Sequence, residues 1–101
     1  MSNTVTIKEV LNKDEITMLS KMLKLSAKSG RSKAEQALKL VKRNKPMGQN
    51  DLMELIRIAK LTKDAADQDS SLKSICSSML KKLMDSYNSL SPSLDEFFSQ
   101  F

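Results

Sequence analysis

Residues 70–89 read SSLKSICSSMLKKLMDSYNS. Leu72, Ile75, Cys76, Met79, Leu83 and Tyr87 recur every three or four positions, so on a helix they share one side. Leu80 and Met84 widen that side, which predicts a central helix with neighbours on more than one flank. Ser70 or Ser71 is its expected N-cap. A helix of this kind needs apolar partners, and the rest of the chain supplies them in the same period.

Immediately upstream, residues 62–70 are polar and acidic and read as a loop, or as a loop with one helical turn. Before them Leu52, Leu55, Ile56 and Ala59 mark a helix capped by Asn50, after a turn at Met47-Gly48. Ala34, Ala37, Leu38 and Val41 mark another. It opens with Ser32-Lys33-Ala34-Glu35, a capping-box pattern, and ends near Asn44 because Pro46 follows. Ile16, Leu19, Met22, Leu23 and Ala27 lie on one face of a helix over 14–28. Asn12 and Glu15 cap its start, and Gly30 sits where a left-handed C-terminal residue belongs. Thr6-Ile7-Lys8-Glu9 opens a short turn reaching Leu11. At the other end, beyond Pro92, Ser93-Leu94-Asp95-Glu96 starts a short helix with Leu94, Phe97, Phe98 and Phe101 on one side.

No segment of five or more residues alternates cleanly in period two, and two glycines and two prolines leave few breakers. The expected fold is all-α: a small antiparallel helical bundle of four main helices plus a short C-terminal helix. Residues 1–5 are expected to be a flexible N-terminus, 6–90 the bundle, and 91–101 an amphipathic segment that packs on the bundle or docks to a partner. The segments Leu52 to Leu61 and Leu72 to Tyr87 resemble the small helical docking domains of transcription elongation factors. The tryptophan and glycine those domains usually carry are absent, so the chain is not assigned to them.

With 101 residues the chain has the length of one domain. It has no histidine and a single cysteine, Cys76. Histidine-based acid–base or triad catalysis, an intrachain disulfide and the usual zinc site are thereby excluded. Asp64, Asp67 and Asp69 lack the glycine and closing glutamate of a calcium loop, and Gly30 and Gly48 stand alone rather than in a phosphate-binding loop. Asp14–Glu15 and Asp95–Glu96 are adjacent in sequence and so do not face each other on a helix. No catalytic role and no cofactor are expected. Cys76 falls in an apolar stripe and reads as an inert buried thiol. No apolar run is long enough for a membrane-spanning helix, and residues 1–7 do not form a signal peptide. A cytoplasmic or other reducing intracellular compartment is expected.

Charge is distributed unevenly. Residues 1–48 carry eleven basic and four acidic side chains, residues 49–101 six basic and eight acidic. Lys21, Lys24, Lys28, Arg31, Lys33, Lys39, Lys42, Arg43 and Lys45 face only Glu35 within their stretch. Lys21, Lys24 and Lys28 line one side of a helix, as do Lys39, Lys42 and Arg43 on the next. Such a patch serves as a solvated face, as a contact for an acidic protein, or as a nucleic-acid surface. The patch lacks the aromatic residues and most of the arginines that read bases. A helix-turn-helix over 33–61 is disfavoured too, because Asp51 and Glu54 open its second helix and repel phosphate.

Three of the four aromatic residues, Phe97, Phe98 and Phe101, crowd the last five positions. They complete an aliphatic core or dock in an apolar groove of another protein. Met18 with Leu25, and Met53 with Ile58, sit beside the main stripes and suggest a second burial surface. The expected function is a non-enzymatic interaction module binding through Phe97, Phe98, Phe101, Leu94, Met18, Leu25 and Met53. The partner is another protein with an acidic or apolar-groove surface, or a second copy of the chain. The alternative is a small nucleic-acid-binding or transcription-regulating protein using the 21–45 hairpin.

Overall fold

The computed structural model describes residues 3–90. Helix makes up 77% of them and no strand is present among them, so the all-α bundle expected from the periodicity is the fold. The elements are α1 (Ile7–Val10), α2 (Lys13–Lys28), α3 (Ser32–Lys42), α4 (Gln49–Ala65) and α5 (Ser70–Ser89). The four main helices and the short turn before them are where the sequence places them. The expected C-terminal helix over 93–101 lies outside the described residues.

The helix ends are set by local chemistry. The Glu9 carboxylate accepts from the Thr6 N–H at 3.2 Å and the Thr6 hydroxyl at 2.7 Å. Asn12 and Glu15 satisfy one another's backbone: Glu15 N–H donates to Asn12 Oδ1 at 2.8 Å, and Asn12 N–H to Glu15 Oε1 at 3.0 Å. α2 ends in a left-handed glycine, Gly30 at φ +96°. Arg31 N–H reaches Ser26 O and Gly30 N–H reaches Ala27 O, the double bond of a Schellman motif. α3 ends the same way with Asn44 at φ +50°, using Lys45 N–H to Leu40 O and Asn44 N–H to Val41 O. The Asn44 side chain also accepts from Lys8 N–H at 3.2 Å, tying α1 to the end of α3.

Four boundaries differ from the sequence expectation. The N-cap of α3 is Arg31, without a side-chain cap bond, and Ser32 is the first helical residue. The left-handed Gly30 brings the chain into the helix one residue early, and Arg31 spends its side chain on α4 instead. α4 is capped by Gly48, whose N–H donates to Asp51 Oδ2 at 3.1 Å, and Asn50 lies inside the helix. Met47 is no turn residue. It is fully buried and pairs with Val5 in an isolated antiparallel bridge, its N–H donating to Val5 O at 2.8 Å. Val5, at the edge of the stretch expected to be a flexible terminus, is thus fastened to the loop before α4. α4 also runs on through Thr62 to Ala65, because no glycine or proline interrupts it, and the Thr62 hydroxyl finds a partner in Ile58 O at 2.9 Å. Asp69 rather than a serine caps α5, accepting from Leu72 N–H at 3.0 Å. A carboxylate there also complements the helix dipole.

α4 packs most closely on α5, and α2 on α3; both helices of the first hairpin also reach α4. The core lies between the two hairpins. Leu19, Leu23, Leu52, Leu55, Cys76, Met79 and Leu83 are wholly inside. Ile58 belongs to this core rather than to a second surface, whereas Ile56, expected inside, is half-buried. Gln49 fastens the far end, its Nε2 donating to Tyr87 O at 2.9 Å and Leu90 O at 3.2 Å. No helix among the described residues is long and apolar enough to cross a membrane.

Candidate interaction surface

Two carboxylates sit inside helices, where sequence alone gives no reason to expect them: Glu15 is 4% exposed and Glu54 7%. Glu54, one turn before the core residue Ile58, receives both arms of the Arg31 guanidinium. Arg31 Nε donates to Oε1 at 2.5 Å and Nη2 to Oε2 at 2.8 Å. That fork–fork geometry pins the start of α3 to α4. The Arg31 contact holds the Glu54 carboxyl below its ordinary range, against the opposing effect of burial. Glu15 serves α5. Burial pushes its carboxyl up, but Lys82 Nζ at 2.7 Å, the Asn12 N–H and the Ser78 hydroxyl at 2.8 Å outweigh it and leave the pKa lowered. Every buried side-chain nitrogen and oxygen among the described residues has a partner. These acids hold the two hairpins together.

Arg31 is therefore spent on structure. The other eight residues of the basic patch, Lys21, Lys24, Lys28, Lys33, Lys39, Lys42, Arg43 and Lys45, are all exposed, and none forms an ion pair with a described residue. On α2 the lysine row lies opposite the buried residues Leu19, Met22 and Leu23. On α3 Lys39 likewise points away from Ala34, Ala37 and Val41. The first hairpin thus presents unneutralised positive charge on its outward side.

Between the start of α3 and the first turns of α4 lies a cleft of about 440 Å³. Ala37 and Met53 give it apolar surface, Lys33 and Arg57 line it with charge, and Gln36 and Asn50 add amides. The Arg31–Glu54 pair forms its wall. Met53 is 47% exposed, so this expected contact residue stands beside Lys33 of the basic patch. Periodicity alone had placed the two on separate helices with no reason to meet. Leu25 is also exposed, at 67%, but does not line the cleft. Met18 is half-buried and packs against the core. Leu94, Phe97, Phe98 and Phe101 lie outside the described residues. Sequence reading did not single out Leu61, which is exposed, and took Met84 for part of a widened buried stripe; Met84 is half-exposed.

The Cys76 thiol is buried, and burial pushes its pKa up. Among the described residues no three His, Cys, Asp or Glu side chains stand close enough to hold a metal ion. Compared with protein-family models, curated proteins and solved structures, the chain has no match.

Proposed function

We propose that this chain is a non-enzymatic interaction module that binds an acidic partner protein. The observation that carries this reading is the set of eight exposed cations on α2, α3 and the turn after it, all without an ion pair among the described residues. Surface charge left unpaired on one hairpin, while Arg31 and Lys82 are recruited to buried acids, supplies long-range attraction and orientation toward negative charge. Half-exposed Met53 beside that charge supplies the apolar contact that gives an interface residence time.

The same set of cations also favours a nucleic-acid surface, which is the second reading. Against it, only Arg43 of the eight is an arginine, and none is interleaved with an aromatic ring. Bidentate base reading and base stacking have no residues to work with there.

The test is affinity capture from cell lysate by the intact chain, with and without nuclease, beside the variant Lys21→Glu/Lys24→Glu/Lys28→Glu. Retention of an acidic protein after nuclease, lost in the variant, is the expected result. Capture that collapses with nuclease replaces this reading with the nucleic-acid one.

A further inference from the structure

We infer that the cleft between α3 and α4 seats a short acidic peptide segment of the partner, with one apolar side chain against Met53 and its carboxylates on Lys33 and Arg57. This rests on the interaction-module reading and gives it a site. The size is suitable: ligand clefts run from about 300 to about 1,000 Å³, and this one is about 440 Å³.

Charge decides the occupant. The acids of the cleft are already engaged. Both Glu54 oxygens accept from Arg31, and Asp51 Oδ2 accepts from the Gly48 N–H that opens α4. The cations are less so. Arg57 is ion-paired with Glu54 at 3.7 Å, beyond hydrogen-bond range, so its guanidinium makes no hydrogen bond to that carboxylate. Lys33 is exposed and has no ion pair among the described residues. The lining therefore sets three cations, Arg31, Lys33 and Arg57, against two acids, Asp51 and Glu54, and the charge left over is positive and favours an anion.

The apolar surface narrows the class further. A bare phosphate or a nucleic-acid backbone has no use for a half-exposed methionine at the same spot. Met53, unbranched and polarisable, adapts to whichever apolar side chain arrives. The amides of Gln36 and Asn50 offer both donor and acceptor, as a peptide main chain requires.

The experiment uses the full chain and a fluorescein-labelled synthetic peptide, Gly-Asp-Glu-Phe-Asp-Glu-Gly. Two control peptides carry Asn/Gln in place of the acids, or Ser in place of Phe. Fluorescence anisotropy gives the affinity, and backbone amide NMR shifts report the location and confirm the fold of each variant. The acidic Phe peptide is expected to bind, with both controls weaker. Lys33→Glu/Arg57→Glu is expected to weaken it by about tenfold or more, and Met53→Ser by roughly threefold or more. Lys21→Glu/Lys24→Glu/Lys28→Glu on α2 is expected to change it by less than about threefold, since those residues lie outside the cleft.

Equal weakening by the α2 and cleft variants overturns the cleft and leaves the module reading intact, because binding would then follow diffuse charge. Absence of peptide binding also overturns the cleft. The module reading fails separately, if capture from lysate yields only nucleic acid. A rise of about tenfold in peptide affinity on Phe97→Ser/Phe98→Ser overturns the assignment to a foreign partner, because the chain's own acidic–aromatic segment would then be the competitor.

Discussion

Glu54 and Glu15 are the residues whose chemistry is most committed to the fold. A buried ion pair adds little over a well-packed apolar pair, yet removing one partner leaves an uncompensated charge. Both carboxyls have pKa values below the ordinary glutamate value of 4.5 in the folded chain. Their contribution is therefore fully present above that value and is lost as pH falls through the lower folded-state values. Urea unfolding from about pH 6 down to about pH 3 should show stability falling on the acid side. Glu15→Gln and Glu54→Gln should each be less stable at neutral pH and show a flatter acid limb. An unchanged limb would mean the pairs do not couple to folding. The two left-handed positions give a second test. Gly30→Ala should cost about 1–2 kcal/mol, since φ +96° strains any Cβ whatever the surrounding space. Asn44→Ala should also cost stability, since alanine tolerates the left-handed region less well than asparagine and the Lys8 N–H loses its acceptor. Neither alanine variant should match the wild-type melting temperature.

Among the elements, α5 sets Cys76, Met79 and Leu83 in the core, and its two apolar edges differ sharply. Leu83 is fully buried, and Met84 beside it is 50% exposed. Leu83→Ala should cost about 2–5 kcal/mol through lost burial and the cavity left behind, a large share of the roughly 5–15 kcal/mol that holds a domain together. Met84→Ala should stay within about 0.5 kcal/mol. Thermal melts of the two variants separate them; similar losses would place Met84 in a buried interface. The capping pattern was readable for α1 and α2 because Thr6–Glu9 and Asn12–Glu15 are local interactions within one turn. It failed for α3. Ser32 and Glu35 have the right spacing, but Gly30 and the pull of Glu54 on Arg31 move the helix start by one residue. The end of α4 was open between a loop and one further helical turn for a related reason. Polar residues 62–65 look like a loop by composition, yet nothing in them breaks a helix already propagating.

On the scale of the whole molecule, charge divides the fold. The first hairpin carries the excess of cations, while the second supplies Glu54 to the cleft and Lys82 to Glu15. Residues proposed to serve recognition and residues holding the buried ion pairs can therefore be separated by mutation. Lys24→Glu places an acid four residues before Lys28 and three after Lys21 on the exposed side of α2. It should stabilise the chain by about 0.2–0.5 kcal/mol per new pair while weakening capture of an acidic partner. Denaturant midpoints and capture yield measured side by side check this. A parallel fall in both would mean that the lysines are structural.

The sequence by itself determined the helical class, the four main helices, most of the buried stripe on each, and the excess of basic residues between Lys21 and Lys45. All of these follow from spacing within one helix or charge within one stretch, and neighbours along the chain suffice to state them. Only the tertiary structure decided that Met47 is core and paired with Val5, that Ile58 faces inward, and that Glu15 and Glu54 are buried with partners 67 and 23 residues away. It also decided that Met53 and Lys33 share one cleft. The physical reason is the same in each case. Whether a polar or marginal side chain is inside depends on what the opposing helix offers it, and helical periodicity along one element carries no record of its neighbour.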